Sequence, residues 1–310
     1  MSAAGGRINL LFFLLLPILT GCGAFCRPAP TLQSGPARLL IADVPFYAQE
    51  EHQCGPAAMA MLLAWSGLPV TPADLRPQVF SPVVQGSLQP ALIAAARRHG
   101  RLAYPITGRA ALFAELAAGH PVLVLQNLGL AWLPRWHYAV AVGYDLAAGR
   151  ILLHTGTRQG EPLSFRVFEN TWARSAYWGL VILPPDRLPA TAEEKTFLAA
   201  AIGLEQSREW PAAVTAYRTA LNRWPASFAA WMGLGNSRYA LGDPAGAEQA
   251  FRRATALQPD NGAALNNLAQ ALAVQGRKAE ALAAAQQAVR CGGAWQEYFQ
   301  QTLAEIGAGD

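Results

Sequence analysis

Two stretches of the sequence carry residue types suited to nucleophilic chemistry, and they lie more than eighty residues apart. The first runs from Gln49 to Cys54 and continues into an apolar segment, and the second opens at His137. A cysteine can act as the nucleophile while a histidine manages its proton. A cysteine and a histidine that are distant in sequence and meet on folding are typical of cysteine peptidases.

The apolar segment that begins at Cys54 is predicted to be a helix ending near Gly67. Pro56 suits the first turn, where its missing N–H costs nothing, and Gly67 favours helix termination. Cys54 would then lie at a helix N-terminus, where unpaired N–H groups and the helix dipole favour an anion. We therefore expect the pKa of the Cys54 thiol to be lowered.

The elements that must position these residues change in type along the chain. The segments with helical patterns and caps come early; they are a short helix begun by Thr71, a helix from Leu88 to His99 capped by Ser87, and a helix from Arg109 to Ala118. Strand patterns occur once before the Cys54 helix and then repeatedly after residue 120; they are 39–46, 121–126, 136–144, 150–155 and 177–183. Helices followed by an antiparallel sheet indicate an α+β domain.

The sequence beyond Pro184–Pro189 changes to Ala-rich helix with a period of 34 residues. Several positions recur at that period; they are Phe197, Trp231 and Leu265; Ala213, Ala247 and Ala281; Tyr217, Phe251 and Ala285; Ala220, Ala254 and Ala288; and Pro225 and Pro259. This alternation of large and small residues is similar to tetratricopeptide repeats, whose paired helices interlock. The third unit is weaker, and a generic array of helical hairpins is the alternative.

Residues 39–183 resemble the peptidase C39-like families of papain-fold cysteine peptidases. The motifs that carry the resemblance are Val44-Pro45-Phe46, Gln49, CGPAA from Cys54 and HYAVAVGY from His137. The resemblance implies a papain-like α+β fold in which Cys54 is the nucleophile and His137 the base. It further implies that Gln49 donates to the oxyanion, with Gln53 as the competing donor.

The third catalytic residue is the point at which the sequence departs from the family. The family supplies Asp or Asn about one strand after the histidine, and here that place reads Leu-Leu-His-Thr-Gly from Leu152 to Gly156. His154 is the positional match, and His154 or Thr155 could accept a hydrogen bond from the imidazole. Asn170, beside Trp172, is the alternative. Because neither His154 nor Thr155 is a carboxylate, we expect low activity or a need for a partner.

The N-terminus is predicted to be a secretory signal, because Arg7 is followed by an apolar core too short to span a bilayer. Leu19-Thr20-Gly21-Cys22 resembles a bacterial lipobox, which implies cleavage before Cys22 and lipidation of that cysteine. Gly23, in place of Asp, implies that the lipidated protein is anchored in the outer membrane and faces the periplasm. An ordinary signal peptide is the alternative. The predicted divisions are a signal peptide at 1–21, a lipidated tether at 22–38, a peptidase domain at 39–185 and repeats at 194–310.

Composition narrows the classes of partner. The net charge is +4 without a dense run of Lys or Arg, which argues against a nucleic-acid footprint. No GxxxxGK[ST] motif occurs, so ATP binding is not expected. No CxxC or Cys/His cluster has zinc spacing, and no cofactor is expected. Cys291 falls in the repeats, where a buried free thiol is expected, and the role of Cys26 is open.

These observations favour a lipid-anchored peptidase that hydrolyses peptide or amide bonds and recruits a protein partner through its repeats. Two alternatives are open. The first is a weak or inactive C39-like scaffold whose repeats bind proteins. The second is a thiol acyltransferase, which would pass the acyl group to an amine instead of water.

Overall fold

The computed structural model describes residues 35–49 and 53–308, which form a sheet-rich α+β domain followed by an all-helical region. The predicted fold class is therefore confirmed. No helix among these residues is both long enough and apolar enough to cross a bilayer. The predicted signal segment, Cys22 and Cys26 lie outside the described residues.

The described residues of the α+β domain form nine strands, of which seven belong to one sheet. Their bounds are β1 Arg38–Leu40, β2 Phe80–Ser81, β3 Gly86–Ser87, β4 Leu102–Thr107, β5 Val122–Asn127, β6 Trp136–Asp145, β7 Arg150–Thr155, β8 Arg158–Ser164 and β9 Trp178–Leu183. The large sheet has the order β4-β9-β5-β6-β7-β8, and β1 pairs with the far end of β6. Every pairing is antiparallel, while β2 and β3 form a separate hairpin.

Five helices accompany this sheet; they are α1 Cys54–Trp65, α2 Pro72–Val79, α3 Gln89–Arg98, α4 Arg109–Ala117 and α5 Phe165–Trp172. The helix that starts at Cys54 is the central one, because every residue from Gly55 to Leu63 is buried. A helix that is apolar all round belongs inside a core. It packs against β5, β6 and β7, so its first residue faces the start of the strand that carries His137.

Two predictions for the first domain are wrong. The initial strand covers only Arg38–Leu40, since the chain turns after Ile41. Ser87 does not cap α3, because it lies in β3 and pairs with Phe80, which makes Leu88 the residue that precedes the helix.

Seven helices form the second region; they are α6 Glu194–Gln206, α7 Trp210–Arg223, α8 Phe228–Ala240, α9 Pro244–Leu257, α10 Gly262–Val274, α11 Lys278–Cys291 and α12 Gln296–Ala308. Large rings of α7 and α9 pack onto glycines of α8, the helix between them. A Cβ atom at Gly233 would collide with the Tyr217 ring, and one at Gly235 would collide with the Phe251 ring. This is the interlocking that the 34-residue period predicts.

The first repeat is fixed to the peptidase-like domain by buried contacts. One apolar core runs from the sheet into α6 and α7. The fully buried carboxylate of Glu115 accepts hydrogen bonds from the backbone N–H groups of Ala190 and Thr191, at 3.1 and 2.8 Å. It also contacts His120 Nδ1 at 2.7 Å. Burial alone would raise the pKa of Glu115, but these hydrogen bonds outweigh it and hold the pKa below the ordinary value.

Candidate active site

Cys54 and His137 line the same cleft, which has a volume of about 760 Å³. Cys54 is the first residue of α1, and His137 is the second residue of β6. The helix packs on that strand, and the backbone of Tyr138, the residue after His137, lies close enough to Cys54 to affect the pKa of its thiol. The fold therefore brings together the two residues that were predicted to form the nucleophile and the base.

Gln49 also lines the cleft, and its side chain is held in place at both ends. Its Nε2 donates to the carbonyl of Tyr138 at 3.2 Å, and its Oε1 accepts from the N–H of Gly156 at 3.0 Å. The backbone N–H of Gln49 donates to the Gly156 carbonyl at 2.9 Å. The competing donor, Gln53, precedes α1 and is not among the described residues that line the cleft.

His137 is oriented by a threonine. Its Nε2 lies 2.7 Å from Oγ1 of Thr155, at the end of β7. With Nε2 engaged there, Nδ1 is the ring nitrogen left to exchange a proton with a thiol in the cleft. Thr155 was one of the two acceptors that the sequence offered at this place.

The structure does not bring His154, the positional match, to His137. His154 is buried; its Nδ1 accepts from the N–H of Gly160 at 3.0 Å, and its Nε2 meets the carbonyl of Val44 at 3.2 Å. These partners fix a neutral ring with the proton on Nε2. Successive residues of a strand face opposite sides, so His154 faces away when Thr155 faces His137.

Asn170, the alternative orienting residue, lies on α5 with an exposed side chain. It forms no hydrogen bond with His137. Neither His154 nor Asn170 therefore forms a hydrogen bond with the imidazole of His137.

The expected lowering of the Cys54 pKa is wrong. Burial raises the pKa of the thiol above its ordinary value of 9.0, although backbone N–H groups of Tyr138, Gly55 and Cys54 itself act in the opposite direction. Desolvation disfavours a charged thiolate. In this helix start, that cost exceeds the stabilisation by the N–H groups.

Burial also lowers the pKa of His137 below its ordinary 6.5, and the positive charge of Arg135 lowers it further. Both shifts favour the neutral thiol and the neutral imidazole at neutral pH. A thiolate at this position would therefore require transfer of the thiol proton to a base.

One wall of the cleft is held to β6 by Tyr138, whose hydroxyl donates to the carbonyl of Ser87 at 3.2 Å. Ser87 lies against Gly55, where a Cβ atom would collide with its hydroxyl. The Ser87 hydroxyl is buried and has no hydrogen-bond partner among the described residues. Neither role was predicted from the sequence, where Ser87 was expected to cap a helix, because no local pattern indicates a strand pair only two residues long. Among the described residues, no group of three or more His, Cys, Asp or Glu side chains could hold a metal ion.

Two protein families match different parts of the chain. Residues 41–178 match the Peptidase_C39 like family. Residues 198–261 and 234–294 match the tetratricopeptide repeat. No curated protein matches the sequence.

Solved structures are similar to one or the other part. A Bacillus anthracis structure described as that of a C39-like peptidase is 16% identical with a TM-score of 0.40, covering 47% of this chain and 97% of its own. The Yersinia enterocolitica type III secretion chaperone SycD, in complex with a peptide of the translocator YopD, is 18% identical with a TM-score of 0.35, covering 36% and 91%. The TPR2B domain of yeast Sti1, in complex with pHsp70, is 18% identical with a TM-score of 0.36, covering 37% and 95%.

Proposed function

We propose that this chain, which joins a Peptidase_C39 like domain to tetratricopeptide repeats, is a cysteine peptidase that hydrolyses amide bonds in peptides or proteins. One observation carries the proposal. Cys54, His137 and Gln49 line a single cleft, and the imidazole is oriented from behind by Thr155. A nucleophile, a base and an oriented donor in one cleft are the parts that acyl transfer requires.

The reaction begins with a neutral pair. Nδ1 of His137 takes the thiol proton of Cys54 while Sγ attacks the carbonyl carbon of the substrate. The C–S bond forms, and the π electrons of the carbonyl move onto its oxygen. This concerted proton transfer suits a thiol whose pKa is raised by burial.

The negative oxygen needs hydrogen-bond donors that are already in position. The amide nitrogen of Gln49 carries two N–H bonds, and among the described residues only Tyr138 takes one of them. The other N–H of Gln49 and the backbone N–H of Cys54 are the proposed donors. One such donor contributes roughly 2.7–4 kcal/mol to transition-state stabilisation.

The intermediate collapses when His137 returns its proton to the leaving nitrogen and the C–N bond breaks, which leaves an acyl group on Cys54. A water molecule then gives a proton to His137, and its oxygen attacks the thioester carbon. The C–S bond breaks, the acid leaves, and the thiol recovers its proton from the imidazole.

The repeats are proposed to recruit a protein partner. Stacked helical pairs of this family form extended surfaces that bind peptides and proteins. In the second and third repeats, Asn236, Tyr239, Asn267 and Gln270 line a cavity of about 150 Å³ with polar groups suited to a polypeptide backbone. The proposed lipid anchor at Cys22 would hold both domains at the outer membrane, on its periplasmic side; the sequence motif alone supports this.

A scaffold with weak or no catalysis is the second candidate, and one observation favours it. The residue that orients His137 is a neutral hydroxyl, which stabilises an imidazolium less than a carboxylate would. In this alternative, the repeats would carry the function.

The test compares the new protein N-termini in cells that express the wild type, Cys54→Ala or the control Cys291→Ala. The peptidase proposal expects a set of cleaved N-termini that is lost in Cys54→Ala and retained in Cys291→Ala. Identical sets in all three strains would contradict peptidase activity and leave the scaffold.

A further inference from the structure

Eight large apolar side chains stand exposed on the two segments that border the cleft, and three of them, Val84, Leu88 and Trp136, also line it. Those of the first segment, here called the first rim, are Val83, Val84 and Leu88. Those of the second segment, the second rim, are Leu128, Leu130, Trp132, Leu133 and Trp136. Val83 is 91% exposed and Trp132 78% exposed. Contiguous exposed apolar surface at the edge of a binding site marks a place of interaction.

The second rim is an ordered hairpin turn between β5 and β6. The N–H of Leu128 donates to the carbonyl of Arg135 at 2.9 Å, and Leu130 and Leu133 exchange backbone hydrogen bonds at 3.1 and 3.2 Å. A Cβ atom at Gly129 would collide with the Leu133 carbonyl, so the turn closes tightly on itself. Its apolar side chains are therefore held in solvent by the backbone.

Two polar residues fix this turn from below. The buried side chain of Asn127 accepts from the N–H groups of Gly129 and Arg135, both at 2.9 Å, and donates to the Leu130 carbonyl at 3.3 Å. The guanidinium of Arg174 donates to the carbonyls of Asn127, at 3.0 Å, and Gly129. A fixed turn loses little conformational entropy when it binds a partner.

The composition of the turn is the reverse of what a solvent-exposed hairpin favours. Turn positions are dominated by Gly, Pro, Asn, Asp and Ser, whereas the tip here reads Leu-Ala-Trp-Leu from Leu130 to Leu133. The first rim also has apolar residues at exposed turn positions, since Val83 and Val84 occupy the turn between β2 and β3.

We propose that the two rims form a docking surface for apolar side chains of the substrate polypeptide, close to the bond that is cleaved. This inference rests on the proposed function and adds a substrate class to it. Val84 and Leu88 from the first rim and Trp136 from the second line the same cleft as Cys54. A polypeptide lying across the cleft therefore contacts both rims while a peptide bond passes the sulfur.

The continuity of the rims with the cleft is the reason to assign them to the substrate. A bilayer or a second copy of the chain would contact the exposed tips, but it would have no need of apolar residues that continue down both walls toward Cys54. The test therefore includes measurements that would detect binding to a bilayer or to a second copy of the chain.

The test measures how well peptides protect Cys54 from iodoacetamide at alkaline pH, with alkylation at Cys54 read by mass spectrometry. The probes are a peptide whose central residues are Leu and Val and its counterpart with Ser at those positions. The proteins are the full chain, its Trp132→Ser/Leu133→Ser variant, and the control Val274→Ser/Trp295→Ser, all carrying Cys22→Ala to remove an acyl anchor. The control changes an aliphatic residue and a Trp that are 63% and 67% exposed in the repeats.

We expect the apolar peptide to give half-protection at a concentration about tenfold or more below that of the Ser peptide, in the full chain and in the control. The preference should disappear in Trp132→Ser/Leu133→Ser while the unprotected alkylation rate stays the same. The inference is overturned if both peptides protect at the same concentration, if neither protects, or if the preference survives in that variant. It is also overturned if the protein shows no preference for the apolar peptide but needs Trp132 and Leu133 to bind phosphatidylcholine vesicles or to form dimers.

Protection reports binding and not turnover. A failure of the substrate inference is therefore separate from a failure of the peptidase proposal, which the cleaved N-termini decide.

Discussion

Oγ1 of Thr155 lies 2.7 Å from Nε2 of His137, in the place where the resemblance to C39-like peptidases leads one to expect an Asp or Asn side chain. A hydroxyl can donate or accept, so it holds the ring without selecting one tautomer. It also carries no charge to balance an imidazolium. Burial of both groups, together with the positive charge of Arg135 near the imidazole, shifts the pKa of Cys54 up and that of His137 down and so favours the neutral forms.

We predict that Thr155→Asp increases the peptidase activity. A carboxylate beside Nε2 would stabilise the imidazolium, which raises the pKa of His137 and makes transfer of the thiol proton easier. One pKa unit of such a change corresponds to about 1.4 kcal/mol, so a gain on the order of tenfold in kcat/KM is expected. The acid limb of the pH–rate profile should move to higher pH.

Two further variants at the same position serve as controls. Thr155→Ser keeps the hydroxyl and should stay close to the wild type, whereas Thr155→Val removes the contact and should lose activity. Equal kcat/KM values for Thr155→Asp, Thr155→Val and the wild type would show that Thr155 does not orient the base.

The pH dependence of the wild type follows from the two pKa shifts. His137 must be neutral to accept the thiol proton, and its pKa is below 6.5, so activity is retained at pH 6.5 and lost as the pH falls through the lowered pKa. Alkylation of Cys54 by iodoacetamide requires the thiolate, and its pKa is above 9.0, so the rate should rise with a midpoint above that value.

A short peptide with the sequence around Cys54 is the reference for an unburied thiol and should react with a lower midpoint. A midpoint near or below neutral pH in the folded protein would instead reveal a resting thiolate–imidazolium pair.

Gln49→Glu tests the proposed oxyanion donor. A glutamate keeps the acceptor for the N–H of Gly156 but removes both N–H bonds and adds a negative charge, so kcat should fall about 10²–10³-fold. The matched control is Gln53→Glu, which places the same charge beside Cys54 without altering a residue that lines the cleft. If both variants lost the same activity, charge near the sulfur and not a missing donor would be the cause.

His154→Ala should destabilise the fold and spare the chemistry. The change leaves the N–H of Gly160 and the carbonyl of Val44 without partners, which costs about 1–3 kcal/mol in the free energy of unfolding. Thermal denaturation should show this loss, while kcat below the transition stays near that of the wild type. His137→Ala should behave in the opposite way, with a loss of about 10²–10⁴ in kcat and little change in stability. A catalytic defect in His154→Ala without loss of stability would restore His154 as the orienting residue.

Local sequence patterns were sufficient to predict the helix that carries Cys54 and the strand that carries His137. The apolar run after Cys54 predicts α1, and the apolar strand from Trp136 predicts β6 to within a residue. The repeats were also predictable, because the large and small residues that pack together recur every 34 residues. The division into residues 39–185 and 194–310 stays a prediction.

Besides the short β2–β3 hairpin, two strands of the large sheet escaped the sequence analysis, and both lie at its edges. β4 contains Pro105 and β8 contains Pro162, which argue against a strand in the middle of a sheet. Both strands have a free edge where a missing N–H is tolerated.

The choice between His154 and Thr155 depended on strand register, which no local pattern gives. The pairing of β6 with β7 shifts between Ala141 and Gly143, and that of β7 with β8 shifts between Leu153 and Thr155. A shift of one residue exchanges the two faces of a strand. The raised pKa of Cys54 could not be predicted from the sequence either, because it depends on how deeply the tertiary fold buries the start of α1.

The central claim is that the Cys54 sulfur and Nδ1 of His137 face each other across the cleft. 1,3-Dibromoacetone, a reagent with two electrophilic carbons, tests it directly, since one carbon alkylates the thiol and the other alkylates an imidazole nitrogen within its short reach, with loss of two bromides. Mass spectrometry of the digested protein should find Cys54 and His137 bridged, with Nδ1 as the alkylated ring nitrogen, and no bridge in His137→Ala. Alkylation of Cys54 without a bridge to His137, or a bridge to His154, would contradict the account.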